Sequence, residues 1–93
     1  MTNTKPDNTL LLDEQFQAAQ QEVSGLLPID DKFAMLKFYA LYKQASLGDI
    51  QGKKPGMTQM VKRVKWEAWE KLKGMPTTDA KSEYIKLVEK FKK

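Results

Sequence analysis

Tyr39, Tyr42 and Lys43 place two phenols and an ammonium within five consecutive residues, and Lys65-Trp66-Glu67-Ala68-Trp69 sets a second ammonium beside two indoles. Rings and fixed cations in that pattern can stack on a flat ligand and hold its phosphates. At about 100° per residue, Tyr42, Met35, Ser46, Tyr39, Lys43 and Leu36 fill an arc of about 120° on one predicted helix. Phe38, Leu41, Ala34 and Ala45 fall within about 60° of one another on a separate face. Two such faces need two partners: the core takes the second, and the first suits a ligand carrying rings and phosphates. Periodicity alone also allows Tyr39 and Tyr42 to be core tyrosines with satisfied hydroxyls.

Lys65 poses the same alternative. On the helical wheel Val64, Ala68, Val61, Leu72, Lys65, Trp69 and Trp66 follow one another, so the lysine sits inside an apolar arc. It either snorkels to water along its stem or meets a fixed anion. Trp66 and Trp69 are large, apolar and helically spaced, which fits core packing. Lys53, Lys54, Lys62 and Arg63 read as solvated positions, and Met57 and Met60 as flexible filler.

The elements that must position these residues come from a chain of 93 residues, enough for one domain and one core. It has no cysteine and no histidine, so disulfides, thiolate metal sites, cysteine nucleophiles and the commonest general base are missing. With neither a Ser-His-Asp set nor a phosphate-cradling glycine loop, the sequence argues against an enzyme. Met1 to Asn8 is polar and no run of about 18 apolar residues occurs, so the expectation is a soluble cytoplasmic protein. The net charge of +4 admits anionic partners, but acidic residues are interleaved with the lysines and no long block of like charge exists.

Residues 1 to 9 lack periodicity and are expected to be a frayed tail, with the folded domain over 10–93. Leu12, Phe16, Ala19, Val23 and Leu26 keep helical spacing and predict a first helix from Leu12 to near Gly25. Pro28 breaks the chain, and Asp30 or Asp31 offers an N-cap to a second helix that begins at Phe33 and stops at Gly48, in a left-handed C-terminal conformation. Asp49 to Pro55 predicts a long polar loop closed by a type II turn at Pro55-Gly56. A third helix is expected over Met60 to Lys73 with Gly74 as its stop, and Pro76-Thr77-Thr78-Asp79 opens a fourth that carries Ala80, Tyr84, Leu87, Val88 and Phe91. No strand pattern appears, so the fold class is all-α with four helices.

The ordered set Tyr39-x-x-Tyr-Lys-Gln-Ala-Ser-Leu-Gly-Asp, Pro55-Gly-Met, Lys65-Trp-Glu-Ala-Trp, Leu72-Lys-Gly and Tyr84-Ile resembles the acyl-CoA-binding proteins, small four-helix carriers of fatty acyl-coenzyme A, from Phe16 to Phe91. The resemblance implies a four-helix bundle in up-down-down-up order, with the long loop as an overhand connection between helices two and three. It implies ligand contacts at Tyr39, Tyr42, Lys43, Lys65 and Tyr84, with Met35 and Leu36 on the acyl chain. The helix-two tyrosines and lysine would meet the adenine and 3′-phosphate, Lys65 would support the phosphates, and Tyr84 would help to hold the coenzyme. The acyl chain would lie in an apolar groove against helices one to three. The implied function is reversible sequestration of long-chain acyl-CoA in fatty-acid metabolism and transport, by a monomer that needs no cofactor or metal and serves acyl-CoA-using enzymes. Two departures stand out: Ser24 occupies a position that members often fill with a basic residue, and Val61-Lys62-Arg63-Val64 replaces the usual small and basic run.

Two other classes compete with this reading. A nucleic-acid or protein-interaction bundle would show a basic stripe along one helix, whereas the lysines here are spread over several faces. A membrane-surface protein would need an anionic-lipid footprint, which the neighbouring acids weaken; neither nucleic acid nor stable membrane insertion is therefore expected.

Overall fold

The computed structural model describes residues 8–92, and its helices are α1 (Asn8–Leu26), α2 (Lys32–Leu47), α3 (Met60–Glu70) and α4 (Thr77–Phe91). Helix α1 opens at Asn8, four residues before the expected Leu12. Of the tail expected over 1–9, Asn8 and Thr9 belong to this helix, and the remainder lies outside the described residues. Asp31 caps α2, its carboxylate accepting the Ala34 N–H at 3.0 Å. That bond satisfies one of the free amides of the first turn and fixes where the helix begins.

The end of α3 and the turn of the long loop also differ from expectation. Helix α3 ends at Glu70, because Leu72 and Lys73 donate to the carbonyls of Trp69 and Glu70, three residues back, and tighten the chain into a turn. Gly74 follows with φ +94°, so it ends that turn and not the helix itself. A type II turn at Pro55-Gly56 would need positive φ at Gly56, but positive φ occurs at Gly48, Gly52 and Gly74. The turn lies two residues later, where Gln59 N–H donates to Gly56 C=O. Gly48 does have positive φ, but its ψ of −150° lies outside the left-handed helical region.

Contacts along the helices give their directions. Asp13 meets Lys81, Phe16 meets Tyr84 and Glu22 meets Lys92, so α1 and α4 run parallel. Phe38 packs on both Tyr84 and Phe91, while Gln44, six residues further along α2, bonds back to Met75 before α4 begins; α2 is therefore antiparallel to α4. Lys32 and Leu36 face Met60, Val61 and Val64, and Lys43 lies against Trp69, so α3 is parallel to α2. The order is up-down-down-up. Parallel neighbours require the α2–α3 connection to travel back the length of α2, roughly 24 Å at 1.5 Å per residue. Residues 48–59 span that distance with slack, and buried Ile50 pins them to the body.

The core lies where α1, α2 and α4 meet: Phe16, Ala19, Phe38, Leu41, Ala45, Ala80, Tyr84, Leu87 and Val88. All four residues of the predicted α2 core stripe are buried. The faces that α1 and α4 bury are those given by their apolar spacing. Helix α3 is different, since it packs on α2 and has no fully buried residue. Its apolar arc is only partly covered by protein.

Candidate ligand-binding site

Helices α1 and α3 do not pack on each other: the order of contact runs α1, α4, α2, α3, and on α2 Met35 and Tyr42 stay exposed between them. The α2 arc that carries Met35, Leu36, Tyr39, Tyr42 and Lys43 therefore forms the floor of a groove. One wall is α1, whose Phe16 ring centroid is 6.3 Å from that of Tyr42. The other is α3, which brings Lys65 to the Tyr39 ring, 5.2 Å from Nζ to centroid. The second face read from the sequence is thus left open between two walls.

At one end of the groove cations collect on rings. The Lys43 ammonium lies 5.7 Å from the centroid of Tyr39 and 5.7 Å from that of Trp69. With Lys65, two ammonium groups share one tyrosine ring. Such contacts give about 0.5–1 kcal/mol each at partly exposed sites and do not neutralise charge. Lys54, Arg63, Lys81, Lys86 and Lys92 stand opposite carboxylates, whereas neither Lys43 nor Lys65 has a carboxylate partner among the described residues. The result is a pair of ammonium groups flanked by phenols, an arrangement that could hold an anion.

Further along the groove the chemistry changes. Leu36, Met60, Val61 and Val64 line an apolar slot of about 290 Å³, with Lys32 and Lys65 its remaining lining residues. Met60 is 56 % exposed and Val61 70 %. Apolar side chains left this open by the protein suit a hydrocarbon ligand. A larger concavity of about 680 Å³ lies between α2, α4 and the turn that joins α3 to α4, but Asp79 and Glu83 line it with Lys37 and Lys86. Those carboxylates make it a poor host for an anion.

Tyr84 sits apart from the other candidates. Its side chain is only 5 % exposed, edge-on to Phe16 and Phe38 at 5.1 and 5.5 Å. Burial, with Tyr42 nearby, pushes its phenol pKa up, so Tyr84 is a neutral hydroxyl behind Phe16 of the α1 wall. Ser24 is exposed on the last turns of α1. Arg63, expected to be solvated, instead donates from Nη1 to the Pro55 carbonyl at 2.9 Å and faces Glu67 at 3.7 Å. Lys54, likewise expected to be solvated, lies 2.7 Å from Glu67, and this hydrogen bond is the main reason the Glu67 pKa is lowered. Both contacts tie the overhand loop to α3.

Sequence reasoning assigned no role to the polar knot behind the anion site. Gln44 is fully buried, with its Nε2 donating to Asp49 Oδ1 and to the Met75 carbonyl, each at 2.8 Å. Its Oε1 accepts from Trp69 Nε1 at 3.1 Å, and that indole also donates to the Gly48 carbonyl at 2.9 Å. Asp49 Oδ1 further accepts the Gly74 N–H at 2.8 Å. Trp69 is therefore a bonded cross-link between α3 and the end of α2, more than the packed ring its spacing suggests.

The knot also gives a pH prediction. Backbone N–H donation from Gly74, then the Gln44 amide, lowers the Asp49 pKa below the ordinary carboxylate value. A depressed folded-state pKa contributes stability that is present above the unfolded value and is lost as pH falls through the folded one. Asp49→Asn should therefore flatten the acid limb of stability below about pH 4, as read by thermal melts between about pH 2 and 6. An unchanged acid limb would show that the Asp49 carboxylate is not stabilised by folding.

Comparison with known proteins gives consistent neighbours. Residues 13–88 match the sequence model of the family described as "Acyl CoA binding protein". An acyl-CoA-binding protein homolog of Drosophila melanogaster is 47% identical over 81 residues, covering 85% of this chain and 92% of that protein. The acyl-CoA-binding protein of Saccharomyces cerevisiae is 42% identical over 81 residues, covering 87% and 93%. Among solved structures, that of Oryza sativa acyl-CoA-binding protein 2 superposes with a TM-score of 0.87 at 28% identity, covering 90% of this chain and 91% of that one. The acyl-CoA-binding protein of Babesia bovis superposes with a TM-score of 0.73 at 42% identity, covering 86% and 91%.

Proposed function

This chain belongs to the acyl-CoA-binding protein family, and on that premise we propose that it binds long-chain fatty acyl-CoA thioesters reversibly and carries them intact. The observation that supports this most is the division of a single groove into a two-ammonium, phenol-lined end and an apolar slot. A phosphorylated nucleotide joined to a hydrocarbon has the same division. Lys43 and Tyr39 would take the 3′-phosphate and adenine, and Lys65 the remaining phosphates. Tyr42 and Tyr84 would border the coenzyme where α1 meets α2, and Met35 and Leu36 would carry the acyl chain towards Val61 and Val64.

The family is one of binding proteins, and the site as proposed does no chemistry on the thioester. Charge-assisted hydrogen bonds and apolar burial both reverse on release. Among the described residues no group of histidine, cysteine or carboxylate side chains could hold a metal ion, and no helix is long and apolar enough to cross a membrane. A cytoplasmic monomer that hands its ligand to acyl-CoA-using enzymes completes the proposal, on the family resemblance. The exposed lysines are spread over α2, the overhand loop, α3 and α4 with no continuous basic stripe along one helix, which disfavours a nucleic-acid footprint.

Native mass spectrometry after gentle purification tests the ligand class, with the mass increment of an acyl-CoA as the expected result; a nucleic acid, or no retention of added acyl-CoA, would overturn it. Lys43→Ala tests the residue assignment. It should weaken binding of a long-chain acyl-CoA by roughly 1.5–3 kcal/mol, the range for hydrogen bonds to charged groups, and cost much less with the 3′-dephospho form of the same ligand. Equal losses on both ligands would assign Lys43 to the general field and not to the 3′-phosphate.

A further inference from the structure

We propose that Trp69 is a positioning residue for Lys43, and through it sets how strongly the site prefers a ligand that carries the 3′-phosphate. The inference rests on the acyl-CoA reading of the groove. It begins from an energetic problem: Lys43 has a long flexible stem and no carboxylate partner among the described residues. A lysine of that kind samples many rotamers, and freezing them on a ligand costs free energy that subtracts from affinity. Here the ammonium lies between two rings, 5.7 Å from each centroid. The lysine is held before any ligand arrives.

The two rings play different parts. Tyr39 belongs to the groove floor and its ring is also approached by Lys65, 5.2 Å from Nζ to centroid, so a ligand that stacks there competes for the ring. Trp69 is clamped from behind, its indole N–H shared between Gln44 Oε1 at 3.1 Å and the Gly48 carbonyl at 2.9 Å. Those acceptors come from the last turn of α2 and its C-cap, the same helix that carries Lys43. The indole plane is thereby fixed relative to the lysine stem. Indole is the strongest of the aromatic partners for a cation. Its ring face holds the ammonium, while its nitrogen is spent on the clamp.

This division of labour separates positioning from ordinary packing. Trp69→Phe removes the clamp but keeps a ring, whereas Trp69→Leu removes both. Calorimetry with hexadecanoyl-CoA and its 3′-dephospho form gives the ratio of the two dissociation constants, a quantity that a general loss of stability leaves unmoved. The ratio should fall about three- to fivefold in Trp69→Leu, the size of one cation–π contact, and by less than about twofold in Trp69→Phe. In a Lys43→Ala background Trp69→Leu should leave the ratio unchanged.

If Trp69→Leu proves too unstable to titrate, fluorinated tryptophan incorporated into Trp66→Phe keeps the shape of Trp69 and drains the ring face of negative potential. The ratio should then fall stepwise with the number of fluorines. Undiminished discrimination in Trp69→Leu or in the fluorinated protein refutes the positioning role alone. A fall of the same size without Lys43 refutes it as well. A wild-type chain that binds neither ligand refutes the acyl-CoA reading, and this inference with it.

Discussion

Affinity should rise by about 3 kcal/mol, more than a hundredfold, between acetyl-CoA and an acyl-CoA of about ten carbons, and then level off. The estimate comes from the groove. Lys32, at the far end of the slot, and Tyr39, at the anion site, are seven residues apart on α2, roughly 10 Å of helix. An extended chain advances about 1.2 Å per bond, so roughly eight methylenes lie along Leu36, Met60, Val61 and Val64. At ~0.8 kcal/mol for each fully buried methylene the limit is about 6 kcal/mol. Because Met60 and Val61 are themselves more than half exposed, the groove covers only one side of the chain, and about half the limit is the expected gain. Titration calorimetry over a series of even-numbered acyl-CoAs reads both the slope and the plateau. Equal affinities for acetyl-CoA and dodecanoyl-CoA would mean that the slot does not bury the chain. A slope that continues undiminished to the longest ligands would place the chain beyond the slot, along α1 or over the overhand loop.

The floor of this groove was legible in the sequence because helical periodicity separates faces. Met35, Leu36, Tyr39, Tyr42 and Lys43 fall on one arc, Phe38 and Leu41 on another, and the fold keeps the two apart. The direction of α3 was not legible from spacing, since a loop long enough to cross over is equally long enough for an antiparallel hairpin; the family resemblance supplied it. Helix ends were missed where tertiary hydrogen bonds decide them. Asp49 holds the Gly74 N–H, and the chain leaves α3 after Glu70 to meet it, although the apolar pattern continues through Leu72. Arg63 and Lys54 read as solvated because their acceptors, Pro55 C=O and Glu67, become neighbours only when the loop folds back. Gln44 did leave a signal. On the wheel it falls between Ala40 and Leu41, both buried, and a polar residue inside a buried arc needs partners.

Those partners make Gln44→Ala the substitution with the largest expected effect on stability, a loss of roughly 2–4 kcal/mol. The amide makes three bonds, two donated and one accepted. Asp49 keeps the Gly74 N–H and Trp69 keeps the Gly48 carbonyl, so most of the loss falls on the Met75 carbonyl and on the space the side chain vacates. A carbonyl stripped of its donor in a buried setting costs about 1–3 kcal/mol, and each lost net hydrogen bond about 1 kcal/mol. For a domain of this size the midpoint of thermal unfolding should fall by roughly 10 °C or more. Gln44→Met separates the causes, because it refills the volume without restoring any bond. Urea titrations should show Gln44→Met less destabilised than Gln44→Ala but still below wild type by the hydrogen-bond part, roughly 1–3 kcal/mol, with unchanged slopes. A Gln44→Met protein as stable as wild type would show that Gln44 acts by filling space. Coupling to Asp49 gives the remaining check: since the two side chains bond to each other, the double substitution should cost less than the sum of the single ones, whereas strict additivity would mean that α2 and the Gly74 turn are held independently.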